Sequence, residues 1–431
     1  MSRYVIIGAS AAGLGAAEVI RPRDPKSSVT LISDEAYRPY SRPLLTYLLS
    51  GEVQPEKVWL RAPDYFQKWG LETILGDKVV QVDAGAREVR LASGRVAPYD
   101  GLLIASGARP RLPGIPGEDL PMVFTLRTLA DWRRLDACLP EAGVVTVVGA
   151  GAVGLKAAEA LTRRGLTVNL LEMGPHPLPQ LLDPFSARLL QDALAGWGIR
   201  LHCHTRPLAV IADRGRVRGL ALDDNREIPT DAVIFAVGVE PNVEFLAGAG
   251  LTESGGVVVD DYLQTADPLI YAAGDCVFPH HLLTGRRGAY QIWPAAVEQG
   301  RIAGANLTGA RVRYRGLLPQ NSISLRDFHL ITGGLGPQET GDCEVSEELD
   351  EARGQYRRLA FKQGRLVGVT LVGDIGDAGI YFAIMANHLP VDQLAADPRA
   401  FPPETVEHIQ ALIKWGKKPV RVIETPVYEY A

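Results

Sequence analysis

The chain has 431 residues, enough for two to four domains at roughly 150 residues each and too many for one small binding module. Lys plus Arg (45) nearly balances Asp plus Glu (50), and the net charge of -5 gives no support for electrostatic binding to nucleic acid or an anionic membrane. With 46% hydrophobic and 22% charged residues the composition is globular, and no apolar run reaches the roughly 18 residues of a membrane span. The first residues lead straight into a strand pattern without the charged start of a signal peptide, so a cytoplasmic location away from membranes is expected.

In chain order, Tyr4 to Ile7 read as a strand, Gly8 to Gly13 as a turn and the alanine-rich run to Ile20 as a helix. The turn is G-x-G-x-x-G with Ser10 in place of the second glycine. Gly8 permits the tight turn, a small residue at 10 lets a pyrophosphate approach the backbone, and Gly13 lets helix pack on strand while the helix N-terminus faces the anion. A second strand, Val29 to Ile32, leads to Asp34 and Glu35, either of which is placed to accept from a ribose hydroxyl.

The same pattern returns at Val144 to Val148, now with Gly149, Gly151 and Gly154 all present and a helix through Leu161. Its second strand, Leu166 to Leu171, ends at Glu172, 23 residues after Gly149, where an acidic side chain accepts from an adenosine 2′-hydroxyl. Glu172 would repel a 2′-phosphate and Met173-Gly174-Pro175 offers no arginine to receive one, so NAD(H) is favoured over NADP(H). Each fingerprint precedes a hairpin-like stretch (Val79 to Leu91, Leu208 to Leu222) and an apolar strand ending in glycine (Gly101 to Gly107, Ala232 to Gly238). The duplication implies an α/β chain with two dinucleotide-binding, Rossmann-like domains.

Cys138, Cys203, Cys276 and Cys343 are each more than 60 residues apart, which excludes the usual local spacings for zinc or an iron-sulfur cluster. His202 with His204, and His280 with His281, lack carboxylate or thiolate partners at ligand spacing and are expected at the surface or behind a site.

Taken together, these motifs resemble the two-dinucleotide flavoproteins of the pyridine nucleotide-disulfide oxidoreductase family, from the first strand to about Ala310. Ala105 to Pro110 resembles the family's A-T-G-x-x-P turn, which places Ser106 and Gly107 at FAD. Gly238 to Asn242 resembles its second crossover turn, with Gly238 at NAD, and Thr265 to Asp275 resembles its second FAD fingerprint, in which Asp275 would bind the ribityl chain. The helix Pro294 to Leu307 resembles the one whose N-terminus, here at Pro294, points at the flavin pyrimidine and favours negative charge on the reduced ring.

Where relatives carry redox cysteines, this chain has Tyr40-Ser41-Arg42-Pro43-Leu44-Leu45-Thr46-Tyr47, a run similar to the oxygenase-coupled ferredoxin reductases, the rubredoxin reductases and the flavin domain of NADH nitrite reductases. That subgroup usually has lysine where Tyr47 stands and glutamate where Lys156 stands. The resemblance therefore implies that Lys156, with Arg42, supplies positive charge beside the flavin; the plain alternative for Lys156 is a solvated helix residue.

The expected architecture is an FAD domain of residues 1–112 and 239–316, an inserted NAD domain of residues 113–238, and a C-terminal α+β interface domain of residues 317–431. In the last, Arg357 to Gly373 reads as two strands joined at Gln363-Gly364 and Gly376 to His388 as a helix, followed by a proline-rich tail from Ala400 with a helix from Glu404 to Trp415. The resemblance implies an FAD- and NAD-dependent enzyme moving electrons between NAD(H) and an external iron-sulfur protein or subunit, as the hetero-oligomeric flavin subunit of a complex such as an anaerobic aldehyde or phenylglyoxylate oxidoreductase. A stand-alone NADH-rubredoxin or NADH-ferredoxin reductase and a non-catalytic flavin-bound NAD sensor are the alternatives.

Overall fold

The computed structural model describes residues 1–350 and 352–389. They form two compact units, Met1–Pro179 with Ala187–Pro319, and Gln180–Ser186 with the described residues from Gln320 onward.

Two parallel sheets organise the first unit. One runs in the order Ile270–Ala272, Gly101–Ile104, Arg3–Ile7, Ser28–Ser33, Glu72–Leu75, the other Arg200–His202, Thr167–Leu171, Val144–Val148, Ala232–Phe235, Val123–Phe124. Their central strands are apolar on both faces and buried throughout, as in Gly101–Ile104 and Ala232–Phe235, because helices cover both sides of such sheets. The two sheets repeat each other at the level of single bonds. Gly8 N–H donates to Ile32 O at 2.7 Å and Gly149 N–H to Leu171 O at 2.8 Å, both with positive φ (114° and 102°).

Each sheet carries a three-stranded antiparallel meander, Val79–Asp83, Glu88–Leu91 and Val96–Pro98 on the first, Pro207–Asp213, Arg216–Leu222 and Glu227–Pro229 in the second. The third strand of each, three residues long and ending in proline, extends the expected hairpin. The segments joining the two sheets pair as a ribbon, Ala108–Pro110 antiparallel to Val239–Pro241. Ser106 Oγ donates to Asn242 O at 2.7 Å, and Asn242 Nδ2 donates back to Ser106 O at 3.0 Å.

The second unit is a five-stranded antiparallel sheet in the order Gln320–Leu325, Phe328–Gly334, Arg365–Val372, Gln355–Lys362, Glu344–Asp350, with the helix Ala378–Ala386. The predicted turn is at Gln363-Gly364, where both residues have positive φ (52° and 67°), as a two-residue hairpin requires. The expected helix is shorter than the Gly376 to His388 read from sequence, and three of the five strands were not anticipated. The tail and its helix from Glu404 to Trp415 lie outside the described residues. Among the described residues no helix is long and apolar enough to cross a membrane, and no cluster of three or more His, Cys, Asp or Glu is placed to hold a metal. Of the histidines expected at the surface or behind a site, His281 is buried and accepts a hydrogen bond at Nδ1 from Leu283 N–H.

Candidate functional site

A cavity of about 950 Å³ opens at the carboxyl ends of both parallel sheets, where loops leave the strands and helix N-termini converge. Gly8, Ser10, Asp34, Glu35 and Arg42 line it from the first fingerprint and the run after it. Ser106, Gly107, Asp275, Gly151 and Gly238 line it from the other turns. Gly13, Gly149 and Gly154 stand behind the wall and shape it. A Cβ on Gly13 would lie 1.9 Å from Gly8 O and one on Gly154 1.8 Å from Gly149 O, so side chains there would break the turns.

Gly151 is different. A Cβ there would meet nothing within 4 Å, which leaves the backbone bare on the cavity side, as close approach of a pyrophosphate requires. Ser10 occupies the matching place in the first turn, at the N-cap of the helix Ala11–Arg23, and its hydroxyl makes no cap hydrogen bond. Two helix N-termini, Ala11–Arg23 and Ala152–Arg163, therefore point their free N–H groups at one cavity, an environment suited to the phosphates of FAD and NAD.

A charged network spans the first half of the cavity. Arg42 pairs with Glu35 and donates to Arg127 O at 2.9 Å, and Tyr40 OH donates to the same Glu35 at 2.5 Å. Burial works against the Arg42 charge, yet Tyr40, Glu35 and Asp34 around it hold its pKa above the usual arginine value. Burial also pushes the Tyr40 phenol up, so both groups keep their ordinary protonation. Asp34 and Glu35 differ in their partners. Glu35 is committed to Arg42 and Tyr40, whereas Asp34 is exposed and accepts no hydrogen bond among the described residues.

Arg127 was not anticipated. Its guanidinium donates to Asp275 Oδ2 at 2.6 Å and to Ala108 O at 3.0 Å, across 148 residues of sequence in the first case. It is aimed by a capping box: Thr128 Oγ1 accepts from Asp131 N–H at 3.0 Å, while Asp131 accepts from the Arg127 and Thr128 N–H groups. Thr128-x-x-Asp131 before a helix was a readable signal; the arginine beside it was not.

On the second half, Glu172 does not line the cavity. Its carboxylate accepts from Ala150 N–H at 2.9 Å and from Gly174 N–H at 2.8 Å, bracing the glycine turn against the loop that follows the next strand. Lys156 also lies behind the lining, one helical turn beyond Ala152 and Val153. Its Nζ donates to Tyr47 OH at 3.1 Å and sits 4.3 Å from the Tyr47 ring centroid, and no carboxylate pairs with it among the described residues. The plain reading of Lys156 as freely solvated is thereby corrected, because half-burial and the Tyr47 ring hold the ammonium in place.

The helix expected from Pro294 begins at Trp293. Trp293 and Ala296 line the cavity, while Pro294 is exposed in the first turn, where its missing N–H does no harm. Cys276 is fully buried, its Sγ 3.5 Å from Ile104 O and 3.4 Å from Ala273 O, and burial pushes its pKa up to about 11. No cysteine is among the lining residues, so no thiolate is poised there.

Two glycine turns at the ends of two parallel sheets, sharing one cavity, define a protein built to hold two dinucleotides. The chain belongs to the pyridine nucleotide-disulphide oxidoreductase family, whose pattern matches residues 2–300. It is 32% identical to the epsilon subunit of NADH-dependent phenylglyoxylate dehydrogenase from Aromatoleum evansii, over 88% of this chain and 90% of that subunit. It is 34% identical to rhodocoxin reductase from Rhodococcus erythropolis, over 91% and 92% of the two chains. Among solved structures, a ferredoxin reductase from Rhodopseudomonas palustris matches with a TM-score of 0.86 at 32% identity, over 94% of this chain and all of that one.

Proposed function

We propose that this protein is an NADH-dependent FAD oxidoreductase that moves electrons between NAD(H) and an iron-sulfur protein or subunit. The observation that carries the reading is the single cavity bounded by both glycine turns, which lets two dinucleotides meet. When bound, FAD supplies two-electron exchange with nicotinamide and one-electron exchange with an iron-sulfur centre.

The chain's part is binding, orientation and charge. Residues 1–112 and 239–316 hold FAD: the helix N-terminus behind Gly8, Ser10 and Gly13 receives the pyrophosphate, the unoccupied Asp34 carboxylate accepts from the ribose, and Ser106, Gly107 and Asp275 bind along the flavin chain. Arg42 and Arg127, ion-paired with Glu35 and Asp275, hold those two carboxylates in place, and the helix starting at Trp293 directs N–H groups at the ring. Residues 113–238 hold NAD, with Gly149, Gly151, Gly154 and Gly238 shaping the groove and Glu172, which braces the turn from behind the lining, opposing a 2′-phosphate through its charge. Lys156, fixed by Tyr47, adds a cation behind the wall where nicotinamide and flavin would meet.

Resemblance to the phenylglyoxylate dehydrogenase subunit favours a flavin subunit in a hetero-oligomer, and resemblance to rhodocoxin reductase a stand-alone reductase. Four unpaired cysteines fit the reducing cytoplasm. Anoxic titration tests the reading: the purified protein should be yellow and be bleached by NADH. A correctly folded, colourless protein that cannot be reconstituted with FAD would refute it, and bleaching without transfer to dye or an iron-sulfur acceptor would favour the sensor. Co-purification of stoichiometric iron and sulfide distinguishes the complex from the stand-alone enzyme.

A further inference from the structure

Gln299 lies on the helix Trp293–Leu307 and is 2% exposed. A buried amide needs partners at both ends. Its Oε1 accepts from Gly274 N–H at 2.8 Å, and its Nε2 donates to the Tyr314 hydroxyl at 3.2 Å. Tyr314 is equally buried, and burial pushes its pKa up to about 12, so it remains a neutral phenol.

Gly274 is the residue before Asp275 and has φ of 84°, a conformation that favours glycine. A Cβ on it would come within 3.2 Å of Ala12 Cβ and 3.7 Å of Ala296 Cβ, so the turn passes between the first turns of the helices Ala11–Arg23 and Trp293–Leu307. Those helices meet backbone to backbone, since a Cβ on Gly300 would lie 2.1 Å from Ala12 O. The pyrophosphate turn, the Asp275 carboxylate and the helix start at Trp293 thus converge at one junction.

We infer that Gln299 is a positioning residue for the flavin: its amide fixes the peptide leading into Asp275 against the N-terminus of the helix Trp293–Leu307, so that carboxylate and helix N–H groups meet the cofactor as one rigid unit. The inference rests on the FAD reading above. Without the Gln299 acceptor the Gly274 N–H is buried and unsatisfied, and the turn relieves this by rotating, which carries Asp275 with it.

The test follows FAD affinity and flavin midpoint potential in the full chain. Gln299→Met, of similar length and without hydrogen-bonding groups, should raise the FAD dissociation constant about tenfold or more and lower the midpoint potential. Gln299→Glu keeps an acceptor for Gly274 and lets Tyr314 donate, and should bind FAD at least about threefold more tightly than Gln299→Met, the remaining loss being the cost of a buried carboxylate. Tyr314→Phe leaves the Gly274 bond intact and should change neither quantity by more than about threefold.

Should Gln299→Met fail to fold, exchange of the Gly274 amide in FAD-free wild-type protein decides: protection supports the inference, and exchange at the rate of an open loop overturns it. Equal affinity and potential in wild type and Gln299→Met overturns it, as does an equal loss in Tyr314→Phe, which would mark general loosening of the core. If wild-type protein takes up no FAD, the flavin reading falls and this inference with it; wild-type uptake with unchanged variants sinks this inference alone.

Discussion

Replacing Glu172 by alanine removes two acceptors at once, those of Ala150 N–H and Gly174 N–H. A hydrogen bond to a charged group contributes about 1.5–3 kcal/mol, and at this half-buried site water recovers part of it, so the pair is worth about 2 kcal/mol to the shape of the turn. If that cost falls on the nucleotide-bound form, NADH binding weakens by about thirtyfold. NADPH suffers the same loosening but escapes the charge repulsion between the carboxylate behind the turn and the 2′-phosphate, so the two nucleotides converge. Wild-type protein should therefore use NADH at least about tenfold more efficiently than NADPH, a difference of only about 1.4 kcal/mol. Glu172→Ala should raise the NADH KM about tenfold to thirtyfold and bring the two kcat/KM values within about threefold. Glu172→Gln, with one acceptor and a misdirected NH2 group, should fall between. Anoxic steady-state dye reduction with each nucleotide measures all three. Equal use of NADH and NADPH by wild type, or an unchanged NADH KM in Glu172→Ala, would refute the reasoning.

Lys156→Met should lower the flavin midpoint potential and slow reduction by NADH, and Lys156→Glu should do both more strongly; wild-type values in both variants would leave Lys156 no role beyond its Tyr47 contact. Cys276 should resist alkylation at pH 8, where a thiol with a pKa of about 11 is thiolate in about one molecule in a thousand. Its rate should rise about tenfold per pH unit towards pH 11, and blocking the accessible thiols at pH 8 should leave NADH-to-dye activity intact; rapid alkylation there with loss of activity would contradict this. Arg127→Leu strips Asp275 of its partner, so FAD affinity should fall about tenfold as the uncompensated carboxylate costs about 1–3 kcal/mol. Equilibrium flavin binding reads the change, and unchanged affinity would count against the network.

The glycine turns were legible because their constraint is local: a Cβ at Gly13 or Gly154 strikes the carbonyl of Gly8 or Gly149 within the same motif. Arg127 was not, since its partners, Arg42 and Asp275, are 85 and 148 positions away and nothing in its own neighbourhood encodes them. Glu172 was found for its spacing, but its bracing of Ala150 and Gly174 belongs to a folded loop. Tyr47 and Lys156 stood out by type, and their stacking emerges where the helix Leu45–Ser50 meets Ala152–Arg163. In the second unit, Gln320–Leu325 and Glu344–Asp350 are the edge strands: the first opens on three polar residues and buries only Ile323 and Leu325, and the second is polar and largely solvated, so neither shows the sustained apolar alternation that marked the strands around Gln363-Gly364.

Because Ile270–Ala272 pairs with Gly101–Ile104 across the whole of the intervening sheet, the order of synthesis sets the order of assembly. As the chain leaves the ribosome, the strands from Val123–Phe124 to Ala232–Phe235 are all available before the last strand of the first sheet exists. The inserted sheet can close early, while Gly101–Ile104 waits with one apolar edge uncovered. Closing the inserted sheet brings its ends together at the ribbon of Ala108–Pro110 and Val239–Pro241, which shortens the effective loop the late strand must span. Nascent chains halted far enough past Pro241 for Ala232–Phe235 to have left the exit tunnel, with Ile270–Ala272 still inside it, should already protect Val144–Val148 from proteolysis and leave Gly101–Ile104 cleavable; protection of both at that length would show the first sheet closing without its final strand.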